Sequence, residues 1–137
     1  MKVYIAGKIG TSEEKETLEK VDSLCREMGF ETFLPHRDVG IVSGISDVAR
    51  VFNGDITQGF SDCDIVIAVL DGLHVGAGTA WELGYAYANG IPAIGLKTDE
   101  SVENGLEYLS AILIGSMEIV SSLDALKDKL KAFKEDN

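Results

Sequence analysis

Apolar residues in this chain fall into short unbroken runs and into longer stretches spaced three or four apart, and the two kinds alternate along its length. Ile65 to Leu70 is unbroken and ends in Asp71-Gly72, the pattern of a strand covered on both faces in a parallel sheet. Lys2 to Ala6, Phe30 to Leu34, Ile91 to Leu96 and Met117 to Val120 read as further strands, Phe30 to Leu34 being stopped by Pro35 and Met117 to Val120 lying at an edge. Helical stripes lie between them. Leu18, Val21, Cys25 and Met28 share one face of a helix that opens at the capping box Thr11-Ser12-Glu13-Glu14 and ends at Gly29, a position that tolerates positive φ. Val102 to Leu113 reads as a short helix weakened by Gly105. Ser121 to Lys134 reads as an amphipathic one with Leu123, Leu126, Leu130 and Phe133 on its stripe. The alternation predicts an α/β fold: one domain with a doubly wound, parallel five-stranded sheet of flavodoxin-like order 2-1-3-4-5. Ligands then bind at the carboxyl ends of strands 1 and 3.

Two helical segments depart from the amphipathic pattern, each by one acid. From Ala80 to Ala88 the ionisable groups are Glu82, Tyr85 and Tyr87, so this helix lacks a charged face and is expected to be buried on most sides. Glu82 has two readings. Thr79-Ala80-Trp81-Glu82 has the form of a capping box, and a carboxylate held ionised at a helix start behind glycines also suits a ligand. The second segment runs from Ser46 or Asp47 to about Phe60, with Val48, Val51, Phe52, Ile56 and Phe60 on one arc and Asp55 near its middle. Asp55 is expected to point toward the sheet, where burial favours the neutral form and suits a general acid; the alternative is a helix-end residue reaching solvent past Gly54 and Gly59. The stretch from His36 to Ile45 has no period and reads as a mobile loop over the site.

Composition narrows the function. The chain has 137 residues, 45% hydrophobic and 26% charged, which fits one domain with its own core. A net charge of −11 repels polyphosphate and argues against nucleic-acid or anionic-membrane partners; a small anion would need local N–H donors. No apolar run is long enough to span a membrane and no signal-peptide pattern is present, so a cytoplasmic protein is expected. Cys25 and Cys63 read as lone buried thiols, and no metal-ligand spacing or cofactor motif is present.

The residues resemble the nucleoside 2-deoxyribosyltransferase family, including the related 2'-deoxynucleoside 5'-monophosphate N-glycosidases. The resemblance rests on Tyr4-Ile5-Ala6-Gly7, on Asp55 ahead of Asp62-Cys63-Asp64-Ile65-Val66-Ile67-Ala68, and above all on Gly78-Thr79-Ala80-Trp81-Glu82-Leu83-Gly84-Tyr85-Ala86. It implies Glu82 as nucleophile, Tyr4 as the group that positions it and Asp55 as the acid assisting base departure. It implies substrate contacts from the turn Gly7-Lys8-Ile9 and from Gly76 and Gly78. It also implies a homodimer or higher homo-oligomer with shared sites, in which Leu109-Ser110-Ala111 of a neighbouring subunit brings Ser110 to a 5'-phosphate. The implied substrate is a small nucleoside or nucleotide, and the sugar–enzyme intermediate passes to another base or to water. Retention at the anomeric carbon needs this division of labour between an ionised and a protonated carboxyl.

The chain departs from the family where specificity is set. Gly76 stands where transferases carry an aspartate and glycosidases a serine, Lys8 replaces a phosphate-holding serine and Gly10 an arginine. A lysine still attracts an anion, and His74 is a candidate to replace the missing contact to the base. Two other readings remain open: a phosphoribohydrolase resembling lysine decarboxylases, whose tandem-glycine, arginine-containing motif is absent here, and a nucleotide-binding sensor without turnover.

Overall fold

The computed structural model describes residues 1–137. Five strands form one parallel sheet in the order β2-β1-β3-β4-β5: β1 is Lys2–Ala6, β2 Glu31–Phe33, β3 Ile65–Val69, β4 Ala93–Leu96 and β5 Glu118–Val120. The helices are α1 (Ser12–Glu27), α2 (Pro35–Asp38), α3 (Val48–Phe52), α4 (Ala77–Ala88), α5 (Ala111–Ser116) and α6 (Leu123–Asp136). The expected flavodoxin-like architecture is therefore present.

Successive side chains of a strand point to opposite faces, and the central strands divide accordingly. Val3, Ile5, Ile65 and Ile67 enter a core with Leu18, Val21 and Cys25 of α1 and Leu126 and Leu130 of α6. Tyr4, Ala6, Val66 and Ala68 enter a second core with Phe60 and with Leu83 and Ala86 of α4. Parallel register sets Tyr4 beside Phe33 on one side and Val66 on the other.

Local signals hold best on the first face. Thr11 and Glu14 form the reciprocal capping box at the start of α1, and Gly29 follows its end with φ of 89°. Ser122 caps α6 by accepting the Ala125 N–H. Cys25 is buried and Cys63 half-buried, both as free thiols.

Other expectations need correction. The segment after Pro35 is not all loop: Pro35–Asp38 is a helical turn, because Pro fits the first helical position and Asp38 accepts the Leu34 N–H. Arg37 of this turn donates to Asp22 of α1 and to Asp38, and His36 faces Glu19 at 3.4 Å, so this stretch is tied to α1. The helix expected from 102 to 113 is turns followed by α5, which starts at Ala111 with Ser110 as its cap. The helix carrying Asp55 is composite: a 3-10 turn (Ile45–Asp47), α3, then a π-helical segment, Asn53–Gln58. Glycines allow that wide turn to pack closely. A Cβ on Gly54 would lie 2.7 Å from Val39, and one on Gly59 would lie 2.6 Å from the Tyr4 ring.

Candidate active site

Glu82 does not cap its helix. α4 begins at Ala77 with Gly76 as N-cap and no side-chain cap bond, so the Thr79 to Glu82 box is absent and Glu82 lies in the second turn. Its carboxylate is instead taken by a residue distant in sequence: the Tyr4 hydroxyl donates to Glu82 Oε2. Tyr4 is fully buried, its ring stacked 4.1 Å from Phe60 and 5.4 Å from Phe33. Burial and the neighbouring Glu82 carboxylate raise the phenol's pKa, so Tyr4 remains a donor throughout the physiological range.

Glu82 and Asp55 line one cleft of about 470 Å³ with Val42, Phe52, Gly78 and Trp81, at the carboxyl-end side where β1 and β3 meet α3 and α4. The apolar arc around Asp55 faces this cleft and not a closed core. Val48 and Phe52 are 45% and 50% exposed, whereas Phe60 beyond them is buried. Asp55 Oδ1 is buried without a hydrogen-bond partner. Burial raises Asp55 to about 6, opposed by the Arg50 guanidinium. Glu82 is raised to about 7, chiefly by burial and further by the Asp55 charge, while the Tyr4 hydroxyl pulls it down. The expectation that the helix dipole holds Glu82 ionised is thus corrected: burial dominates. Two adjacent carboxyls with raised affinity share protons over the neutral range, and their titrations belong to the pair. Before a ligand enters, the shared proton favours Glu82, the more raised of the two, even though the Tyr4 hydroxyl stabilises its carboxylate and Asp55 Oδ1 has no donor.

The remaining residues fall in four places. Gly78 lines the cleft. Gly7, Lys8 and Gly76 meet elsewhere: a Cβ on Gly7 would strike Leu18 at 2.7 Å, and one on Gly76 would lie 2.9 Å from Cγ of Lys8. Lys8 Nζ is 3.6 Å from Glu14 and borders a separate cleft containing Glu13, Glu14, Asp71 and Asp99, while the Ile9 side chain packs on the α1 core. His74 sets its ring edge-on to Tyr108 at 6.0 Å and does not line the Asp55–Glu82 cleft. Ser110 caps α5 beside the outer face of α4, in a groove with Ala80, Gly84 and Tyr87. That face is not buried within one chain, since Tyr87 is 70% and Trp81 52% exposed. The sequence reading gave no role to Trp81 or Phe52, although both line the cleft.

A parallel sheet of this order, with two carboxyls in one cleft and a buried tyrosine bonded to one of them, defines the flavodoxin-like α/β class with a paired-carboxyl site. Within that class, residues 3–119 match the nucleoside 2-deoxyribosyltransferase family, and the chain belongs to it. A conserved protein of Enterococcus faecalis V583 is similar in structure, with TM-score 0.78 and 26% identity over 96% of this chain and 98% of that one. A 2-deoxyribosyltransferase of Bacillus psychrosaccharolyticus shares the fold with TM-score 0.75 at 21% identity, covering 93% and 90% of the two chains. So does a CMP N-glycosidase of Clostridium botulinum, with TM-score 0.59 at 20% identity, covering 96% and 99%. No curated protein matches the chain by sequence. No helix is long and apolar enough to cross a membrane.

Proposed function

We propose that the protein cleaves the N-glycosidic bond of 2'-deoxynucleosides, with Glu82 as nucleophile, Asp55 as acid and Tyr4 as the group that positions and polarises Glu82. One observation carries the reading: two buried carboxyls line the same cleft, Glu82 accepting from Tyr4 and Asp55 Oδ1 without a partner, so that a base entering beside Asp55 draws their shared proton to it and leaves Glu82 ionised. The Glu82 carboxylate attacks the anomeric carbon while the proton of Asp55 passes to the departing base. This leaves a deoxyribosyl ester on Glu82 and an ionised Asp55. Asp55, now a base, takes a proton from water or from an incoming nucleobase that attacks the ester from the same cleft.

Membership of the family and the fold shared with a 2-deoxyribosyltransferase and a CMP N-glycosidase support glycosyl transfer or hydrolysis. Charge favours the unphosphorylated nucleoside. The cleft contains no cationic side chain, and Lys8 lies among Glu13, Glu14, Asp71 and Asp99. Water is the favoured acceptor, because it is always present while a free base must enter the cleft in the reactive pose, with only the two carboxyls and the Trp81 indole N–H to fix its edge. A second subunit laid on the α4–α5 groove, where Tyr87 and Ile112 are exposed, completes the site with Ser110.

The test is incubation with deoxynucleosides and their 5'-monophosphates, with and without a free acceptor base. The expected result is base release from nucleosides, with free deoxyribose exceeding exchanged nucleoside. Release only from ribonucleotides would assign the protein to the phosphoribohydrolase type, and binding without release would make it a sensor.

A further inference from the structure

We propose that Trp81 and Phe52 form the seat of the leaving base and grip it by ring area, so that the cleft accepts flat aromatic bases whatever their hydrogen-bonding edge. The proposal rests on the N-glycoside reading above and adds its substrate selectivity. Trp81 directly precedes Glu82 on α4, and Phe52 ends α3 three residues before Asp55, so both rings flank the reacting groups. The rings stand 5.8 Å apart at 73° and form a corner. A flat heterocycle in that corner lies along one ring and meets the other edge-on, the two favoured aromatic geometries.

The corner is rigid on its inner side and open on its outer side. Trp81 is backed by Tyr85 at 5.7 Å and 10°, Tyr85 by Phe60 at 5.0 Å, and Phe60 by the buried Tyr4. Both residues nevertheless remain half exposed, Trp81 at 52% and Phe52 at 50%. Two large rings held in place and left half-wet beside paired carboxyls have the form of a stacking platform. Edge recognition is poor for a plain reason. With Glu82 committed to the sugar and the Trp81 indole N–H lying in the plane of a ring that stacks on the base, Asp55 is the side chain left to hydrogen-bond the base's edge, and a single contact discriminates weakly between edges. Ring area then ranks the ligands, two-ring bases above one-ring bases.

Trp81 is the only tryptophan, so its emission reports on the corner directly. Titrating the Glu82→Gln protein with adenine, hypoxanthine and cytosine should give saturable quenching by all three. Adenine and hypoxanthine should agree within about threefold and cytosine should bind more weakly. Phe52→Ala on that background should weaken every base by about tenfold, the loss of one stacking contact. By calorimetry, Trp81→Phe should retain binding that Trp81→Ala loses. Absence of quenching, or a preference of about a hundredfold between adenine and hypoxanthine, would overturn the proposal. So would emission that ignores bases and shifts with protein concentration, since a second copy would then cover the rings. The titration needs no turnover. Base binding by a wild-type protein that cleaves nothing would reject the catalytic reading, whereas cleavage without a tryptophan response would reject the seat alone.

Discussion

The two faces of the sheet are built from the same strands and obey different rules. On the α1–α6 face the helix ends are satisfied locally, by a complete capping box, a glycine at positive φ and a serine cap over a closed apolar core, and the one buried polar atom without a partner there is His36 Nδ1. On the α3–α4 face the helix start has no side-chain cap, the chain widens into a π turn, a carboxyl oxygen is buried without a partner and two aromatic rings stand half in water. β1 contributes to both faces, with Val3 and Ile5 packing on one and Tyr4 reaching Glu82 on the other. The first face stabilises the fold, and the second spends stability on a site.

Substitutions on the two faces should therefore fail in opposite ways. Glu82→Gln should lower kcat by at least about 10³-fold, since it removes the proposed nucleophile. It should also stabilise the protein at alkaline pH. The folded-state pKa of Glu82 is raised, so the stability it contributes is fully present below its ordinary value and is lost as pH rises through about 7. The variant should gain on the order of 1 kcal/mol over wild type at pH 8 and nothing at pH 4, by thermal melts. Leu18→Ala is the mirror case. Leu18 is 2% exposed in the α1 core, and its loss should cost about 3 kcal/mol while activity per folded molecule is unchanged. A Leu18 variant with altered kcat would dissolve the distinction between the faces.

Smaller changes refine it. In the proposed mechanism the pair carries one proton, so kcat/KM should follow a bell with limbs near 6 and 7, falling below as the pair gains a second proton and above as it loses the last. Tyr4→Phe removes the donor that stabilises ionised Glu82, so the alkaline limb near 7 should move to higher pH and kcat should fall about tenfold or more. An unmoved alkaline limb would show that Tyr4 acts only as packing. Gly76→Asp should have the least effect. Gly76 is the N-cap of α4 with an ordinary φ of −63°, and an aspartate there caps the helix close to Lys8. A gain of a few tenths of a kcal/mol is expected, with the ratio of base exchange to hydrolysis unchanged, because this position lies outside the cleft.

What the sequence disclosed follows the same division. The Thr11 box and the turn at Gly29 were legible because each depends on neighbours in the chain, and the sheet order because alternating strands and helices with right-handed crossovers leave few orders open. Asp55 betrayed itself as an acid on an apolar arc. That the arc opens onto a cleft was not legible, because it depends on α4 standing opposite. The apparent cap at Thr79 misled for a comparable reason: Tyr4, 78 positions away, takes the Glu82 carboxylate that a local box would have used. The π turn was equally hidden, since Gly54 and Gly59 mark close approach only once Val39 and Tyr4 are in place. Trp81 and Phe52 read as core residues until their exposure was visible.

The central claim, that Glu82 carries the sugar, is tested most directly by rapid acid quench of the protein with a deoxynucleoside, followed by intact mass and peptide mapping. The account predicts one deoxyribosyl group on the peptide containing Glu82, formed as fast as base is released and absent from Glu82→Gln. Base release at the wild-type rate by Glu82→Gln, or an adduct mapping to another residue, would contradict it.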